Sequence, residues 1–331
     1  MNLIDKNEKI FIAGGSGMVG SAIKSKLIKE GYKNLKSPTR NELDLKNSNL
    51  VFDWFEGNKP NIVILAAAKV GGIYANSTYP VDFILDNLKI QNNVIEAAWK
   101  NKARRLLFLG SSCIYPKNSS QPIKEEQLLK SCLEKTNEWY ALAKISGIKL
   151  CQALRKQYGF DAISLMPTNL YGIGDNYHNS NSHVLPALIN RFHLHKIERK
   201  KNVICWGSGN PRREFMHVDD LAEAVIFALE KWDPNKDNAP IDESGEPLTW
   251  LNVGTGKDIT IKKLADMIAE ITSYEGEIIW DRNKPDGTFQ KLLDVSKLNN
   301  LGWKSKIDLL CGLKITYEDY KKGFNNKSLR T

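Results

Sequence analysis

Lys9-Ile10-Phe11-Ile12-Ala13, followed at once by Gly14-Gly15-Ser16-Gly17-Met18-Val19-Gly20 and then by the amphipathic run Ser21 to Glu30, constrains this chain more than any other stretch. A short apolar strand, a glycine-rich turn and a helix, in that order, form the setting in which such a turn binds a dinucleotide. Gly14, Gly17 and Gly20 are spaced G-x-x-G-x-x-G. The three glycines then have distinct physical roles, which are a tight turn, close approach of the backbone to a pyrophosphate at a helix N-terminus, and close packing of helix on strand. A plain glycine turn is the alternative, and the strand before it and the helix after it argue against that.

The same alternation continues. Tyr32 to Ser37 begins a second unit that ends in Pro38-Thr39-Arg40. An acid there would take the ribose 2′-hydroxyl of NAD, whereas an arginine suits the 2′-phosphate of NADP, so Arg40 points to NADP(H) unless it is a surface arginine beside a turn. Asn61 to Leu65 reads as the next strand and runs into Ala66-Ala67-Ala68, small residues that let a cofactor approach. A helix over Pro80 to Lys100, a strand over Arg105 to Leu109, a helix over about Thr136 to Tyr158 and a strand over Ala162 to Met166 follow. Strand and helix in repetition predict an α/β protein, a Rossmann-like doubly wound parallel sheet whose ligands collect beyond the carboxyl ends of the strands. Gly14, Ala67 and Ser111 all fall there.

From Asn176 to Ser182 the chain turns rich in Asn, Ser and His, which suggests a crossing into a smaller α/β substrate-binding domain. The expected division is 1–175 for the cofactor domain, with about 215–255 returning to it, and 176–214 with 256–331 for substrate. Within the returning part His217-Val218-Asp219-Asp220 opens a helix, and Asp219 or Asp220 is the expected N-cap. Ile261 to Thr272 reads as another helix and the tail from Leu298 as lysine-rich and partly helical.

At 331 residues the chain has length for about two domains. Its apolar runs, such as Ile62 to Ala68, fall far short of the roughly 20 residues of a membrane span, and the polar start Met1 to Lys9 holds no secretory apolar segment. No membrane partner and a cytoplasmic location are the expectations. The five cysteines are scattered without a C-x-x-C pair, which argues against a disulfide framework or a metal site. The net charge of +9 is dispersed and not interleaved with stacking aromatics, so nucleic acid is not an expected partner, while phosphate-bearing small ligands suit the field.

Tyr140 and Lys144, in Asn137-Glu138-Trp139-Tyr140-Ala141-Leu142-Ala143-Lys144, stand four apart and share a helix face. A neighbouring ammonium favours the phenolate and should draw the tyrosine down from about 10 toward working pH. Such a pair can hand a proton to a carbonyl oxygen as hydride arrives, although a solvated helix face shows the same spacing by chance. Together with the glycine turn and Gly110-Ser111-Ser112-Cys113, which closes an apolar run, it resembles the extended short-chain dehydrogenase/reductase family.

The resemblance narrows further. Leu65 through Ile73, Gly110 through Pro116, Met166 through Gly172, Ser180-Asn181-Ser182-His183-Val184 and Trp206 through Phe215 are similar to the GDP-L-fucose synthase family, NADPH-dependent epimerase/reductases that act on GDP-4-keto-6-deoxy-D-mannose. That resemblance implies a set of roles. Tyr140 protonates the C4 oxygen, Ser111 holds it, and Lys144 holds the nicotinamide ribose. Cys113 and His183 are the acid/base pair for C3 and C5, both able to exchange protons near neutrality. NADP(H) contacts come from Gly14, Gly15, Ser16, Gly17, Met18, Val19, Gly20 and Arg40, from Leu109, Gly110, Ser111 and Ser112, from Lys144, from Pro167, Thr168, Asn169 and Leu170, and from His183. Arg191, Trp206, Arg213 and Asp286 contact the GDP portion, no metal takes part, and the chain forms a homodimer through its long helices. Some relatives carry His-Arg where this chain has Gly15-Ser16, which removes one cation from the cofactor phosphates. Two rivals stay open: a related reductase or epimerase on another 4-keto sugar, and an NADP-binding scaffold without catalysis.

Overall fold

A computed structural model describes residues 2–178, 181–284 and 286–331; Ser180 of the motif above lies outside the described residues. The first half of the chain alternates short strands with longer helices: β1 (Ile10–Ala13), α1 (Met18–Lys29), β2 (Leu35–Lys36), α2 (Ser48–Asn58), β3 (Ile62–Leu65), α3 (Ile73–Thr78), α4 (Pro80–Lys100), β4 (Arg105–Leu109), α5 (Glu138–Tyr158) and β5 (Ala162–Pro167). Every residue of β1, β3, β4 and β5 is buried. Along β1 the side chains alternate, Ile10 and Ile12 into one apolar cluster and Phe11 and Ala13 into the other. Continuous apolar strands of this kind belong to a parallel sheet covered on both faces by helices.

β6 (Asn169–Tyr171), α6 (Val184–Ile197), β7 (Asn202–Trp206) and β8 (Arg212–His217) lead away from that sheet, and α7 (Val218–Lys231) and β9 (Trp250–Val253) return to it. The apolar face of α7 joins the cluster that also holds Ile23 and Leu27 of α1, and β9 pairs in parallel with β5. The result is a six-stranded sheet of order β2-β1-β3-β4-β5-β9, with every pairing parallel. Strand order reverses at β1, so a crevice opens beyond the carboxyl ends of β1 and β3, the place where such folds bind ligands.

One expectation fails in α7. Its N-cap is neither aspartate but the buried His217, whose Nδ1 accepts the Asp219 N–H at 3.3 Å. Asp220 is itself buried and its carboxylate accepts the N–H groups of Lys306 and Ile307 at 3.1 and 3.0 Å. A carboxylate already satisfied by a distant loop is not available to cap its own helix.

The remaining elements are β10 (Asp258–Thr260), α8 (Ile261–Thr272), β11 (Glu277–Asp281), β12 (Gln290–Lys291), α9 (Ser296–Asn300) and α10 (Leu309–Asn325). β8 pairs with β10, β12 and β6, while β7 pairs in parallel with β11. Helices α6, α8 and α10 bury a third apolar cluster that includes Phe192, Leu264 and Tyr320. Glu214 ties these parts together from within β8. Fully buried, its carboxylate accepts the N–H groups of Thr255, Gly256 and Leu293 at 2.6, 2.7 and 3.0 Å, bonds that offset the burial that pushes its pKa up. Among the described residues no helix is long and apolar enough to cross a membrane, and no group of three or more His, Cys, Asp or Glu side chains is placed to hold a metal ion.

Candidate active site

The glycine turn is closed against the end of β3. Gly14 has φ +84°, and a Cβ there would stand 2.7 Å from Ala67 Cα; one on Gly20 would stand 2.1 Å from the Gly14 carbonyl oxygen. Side chains at either position would force the turn apart, because real Cβ atoms do not approach so closely. Gly17 occupies the N-cap of α1 without capping it, which leaves the helix end open to an anion. Gly15 lies against Ser37 Oγ, Ser16 is exposed, and Met18 and Val19 are partly buried in the first turn. Arg40 sits in an exposed turn just beyond β2, unpaired among the described residues. This cradle fits a pyrophosphate: backbone donors, no side chain in the way, and a helix dipole behind.

The chemistry-bearing residues gather where β4 ends. Leu109, Gly110 and Ser112 are buried there, and Gly110 is hemmed in by Met166 Sδ, which a Cβ would meet at 2.3 Å. Ser111 caps the short turn Ser112–Ile114, its Oγ accepting the Cys113 N–H at 3.4 Å. Lys144, 3% exposed, donates from Nζ to the Leu109 carbonyl at 2.8 Å, with its ammonium 4.7 Å from the Phe108 ring and 5.8 Å from that of Tyr140. Gly147, one turn further along α5, faces Phe108, where a Cβ would fall 2.6 Å from the ring. That close approach seats α5 on β4 and brings Tyr140 and Lys144 over the strand end.

Electrostatics in this cluster depart from expectation. Burial, not Lys144, dominates at Tyr140 and pushes its phenol above the ordinary range, with the Cys113 charge adding to the rise. The same burial draws Lys144 down to about 8, with Cys113 raising it. Tyr140 is half-buried, and the desolvation of its phenol decides the direction. Cys113 is also raised by burial, against the opposing pull of Lys291, Ser111 and Lys144. At neutral pH the tyrosine and the cysteine both hold their protons.

His183 arrives from the other side. It is the residue before α6 and makes no cap hydrogen bond. Its neighbour Asn181 is tied to the start of α3, since the N–H of Gly72, the N-cap of that helix, donates to the Asn181 carbonyl at 3.0 Å. The ring retains exposed surface but is walled in by protein mass, which lowers its pKa, so the imidazole is neutral at pH 7. No hydrogen bond or ring contact joins it to Tyr140, Lys144 or Cys113. Pro167 ends β5 and Thr168-Asn169-Leu170 leads into β6 at the same end, where Thr168 Oγ1 and Asn169 Nδ2 both donate to the Glu214 carbonyl, at 3.2 and 2.7 Å, and Leu170 packs on the first apolar cluster.

The residues expected to meet the GDP portion belong to the second region. Arg191 donates to the Ile204 carbonyl at 2.6 Å, and Trp206, 58% exposed, ends β7 with the Lys284 ammonium 5.3 Å from its ring. Asp286 accepts the Ser208 N–H and hydroxyl at 2.9 and 2.6 Å, and so fixes the turn that follows Trp206. Arg213 donates to the Thr288 carbonyl at 2.6 Å. An exposed indole can stack a base, and a guanidinium fork can take a diphosphate. Sequence reasoning missed Lys291, which ends the two-residue strand β12 and is depressed by burial with Cys113, Arg213 and Glu134 as its charged neighbours. Its strand is too short to leave a periodic signal. A separate concavity of about 870 Å³ lined by Asn2 to Glu8, Asn61 and Arg104 lies at the amino ends of β1, β3 and β4, away from all these residues.

Comparison with known proteins gives the family. The profile of the NAD dependent epimerase/dehydratase family matches residues 10–241. The chain is 53% identical to GDP-L-fucose synthase 1 of Arabidopsis thaliana, over 98% of this chain and 97% of that one. It is 51% identical to GDP-L-fucose synthase of Escherichia coli K12, over 94% and 96%. Among solved structures it resembles a GDP-mannoheptose C4 reductase from Campylobacter jejuni with NADP bound, at 39% identity and a TM-score of 0.84, covering 96% of this chain and 99% of that one.

Proposed function

Because the chain belongs to the NAD dependent epimerase/dehydratase family, we propose that it is an NADPH-dependent epimerase/reductase that inverts C3 and C5 of GDP-4-keto-6-deoxy-D-mannose and reduces C4 to give GDP-L-fucose. The observation that carries this reading is the grouping of Ser111, Cys113, Tyr140 and Lys144 at the end of β4, on the same carboxyl edge of the sheet as the glycine cradle. A non-catalytic scaffold has no use for a half-buried proton donor next to a buried lysine. Identity of about half the chain to GDP-L-fucose synthases favours their substrate over other 4-keto sugars.

Bound NADPH supplies hydride to C4. Tyr140, with its phenol proton retained by burial, donates to the C4 oxygen, and the Ser111 hydroxyl holds that oxygen in place. Lys144, anchored on the Leu109 carbonyl, holds the nicotinamide ribose and sets positive charge beside the phenol as it loses its proton. These oxygen-directed donors serve the inversions too. A 4-keto sugar loses a proton from C3 or C5 because the resulting enolate places its charge on the C4 oxygen, the atom to which Ser111 and Tyr140 donate in this reading. Inversion needs an acceptor on one face of the ring and a donor on the other. In the unliganded protein His183 is the neutral acceptor and Cys113 the protonated donor. Arg191, Trp206, Arg213 and Asp286 hold the nucleotide, and Arg40 selects the 2′-phosphate. Copies pair through α4 and α5, on which Val81, Leu85, Trp139 and Leu142 are 64%, 43%, 39% and 40% exposed, and the protein works in the cytoplasm.

Proton exchange tests this reading without turnover. With oxidised NADP bound and the keto sugar in D2O, deuterium enters C3 and C5, and Cys113→Ser or His183→Asn loses most of that exchange while keeping cofactor affinity. If no deuterium enters C3 or C5 there, while a separate incubation with NADPH reduces the sugar at C4, the protein is a C4 reductase alone and the proposal is defeated.

A further inference from the structure

The second glycine of the cradle marks where the cofactor's pyrophosphate comes closest, because its missing side chain is the space the phosphates use. In this chain that space has a cation beside it. A Cβ built on Gly17 would stand 3.9 Å from Nη1 of Arg330, the penultimate residue of the chain. Three contacts hold the tail there after α10 ends. The Ser328 N–H donates to the Gly323 carbonyl at 2.8 Å; Leu329 packs against Gly323 and the third apolar cluster; the Arg330 carbonyl accepts the Tyr177 N–H at 2.8 Å. The guanidinium itself is exposed and, among the described residues, makes no hydrogen bond or ion pair. Asp175 feels its positive charge but is not bonded to it, and Oδ2 of that carboxylate has no partner among the described residues.

A backbone-anchored arginine with an unpaired fork beside the gap that Gly17 leaves is arranged to bind rather than to brace. Gly15 and Ser16 supply no charge in this turn, and Arg40 lies at the adenosine end beyond β2. We propose that Arg330 binds the pyrophosphate of NADP(H), so that the docked C-terminal tail forms part of the cofactor site. This rests on the reading of the glycine cradle as that site. A guanidinium fork matches two phosphate oxygens better than an ammonium does.

The test is equilibrium binding, followed by the fluorescence of NADPH and of NADH titrated separately with the full-length protein. Both cofactors carry the pyrophosphate and only NADPH carries the 2′-phosphate. Arg330→Ala should weaken both about tenfold and by similar factors, the range of one charge-assisted contact near the surface. Arg330→Lys should recover part of the loss, and higher salt should shrink the gap between wild type and Arg330→Ala. Arg40→Ala, by contrast, should weaken NADPH alone. Unchanged affinity of Arg330→Ala for both cofactors overturns the proposal, and a loss confined to NADPH overturns the assignment to the pyrophosphate. If the wild-type protein binds neither cofactor, the reading of the cradle fails first and the proposal falls with it.

Discussion

Asp175→Asn isolates the largest carboxylate perturbation near the cofactor site. Asp175 is 5% exposed; Oδ1 accepts the Asn176 N–H at 2.7 Å and Oδ2 has no partner. Burial raises its pKa from the ordinary 3.8 to about 7, and the Asn176 N–H and the Arg330 charge only partly oppose that. A carboxyl whose pKa is raised on folding makes the folded state hold a proton that the unfolded chain has already released. Its contribution is therefore fully present below about pH 4 and lost as pH rises through about 7. At about 1.4 kcal/mol for each pH unit of that interval, ionised Asp175 destabilises the fold by about 4 kcal/mol at about pH 8. Asparagine keeps the shape and the Oδ1 acceptor but never ionises. Urea denaturation of both proteins from about pH 4 to about pH 8 should show the variant gaining on wild type by about 4 kcal/mol across the range. Any constant penalty for placing an amide at the Oδ2 position leaves that slope untouched. A difference between the two proteins that stays level with pH would refute the reasoning.

Tyr140→Phe should leave NADPH affinity near wild type while lowering turnover about a hundredfold or more, the share of a positioned general acid; near-normal turnover removes Tyr140 from the mechanism. Lys291→Met should raise the Cys113 thiol pKa further, because Lys291 is the largest influence opposing its burial. The pH profile of Cys113 alkylation, read on its own peptide by mass spectrometry, should move to higher pH, and a profile that stays put or moves down contradicts the assignment.

What could be read from the chain follows from the range over which each signal acts. β1, the glycine turn and α1 form one contiguous stretch, and each glycine has a local steric reason, so their placement was legible. The same holds for α4 and α8, whose observed limits Pro80–Lys100 and Ile261–Thr272 coincide with those expected from pattern. Local reasoning went astray where the partner was remote in sequence. Asp220 looks like a helix cap until its carboxylate is found on Lys306 and Ile307, and His217 takes the cap instead. Tyr140 and Lys144 are neighbours on a helix, and pairing alone predicts a depressed tyrosine. Burial by β4 and α4, which sequence spacing does not encode, reverses that direction. Lys291 and Arg330 lay beyond reach for the same reason. One is a residue of a two-residue strand and the other stands at the end of a polar tail, and only the fold brings them to Cys113 and Gly17.

One set of oxygen-directed donors serving two inversions and a reduction at a single site is the central claim. Product identification after incubation with NADPH and GDP-4-keto-6-deoxy-D-mannose tests it most directly, with NADPH consumption followed by its absorbance and the sugar resolved by NMR. The expected result is one NADPH consumed for each GDP-L-fucose formed. A GDP-6-deoxyhexose that keeps the original configuration at C3 and C5, formed at the full rate, or no consumption of NADPH at all, would contradict it.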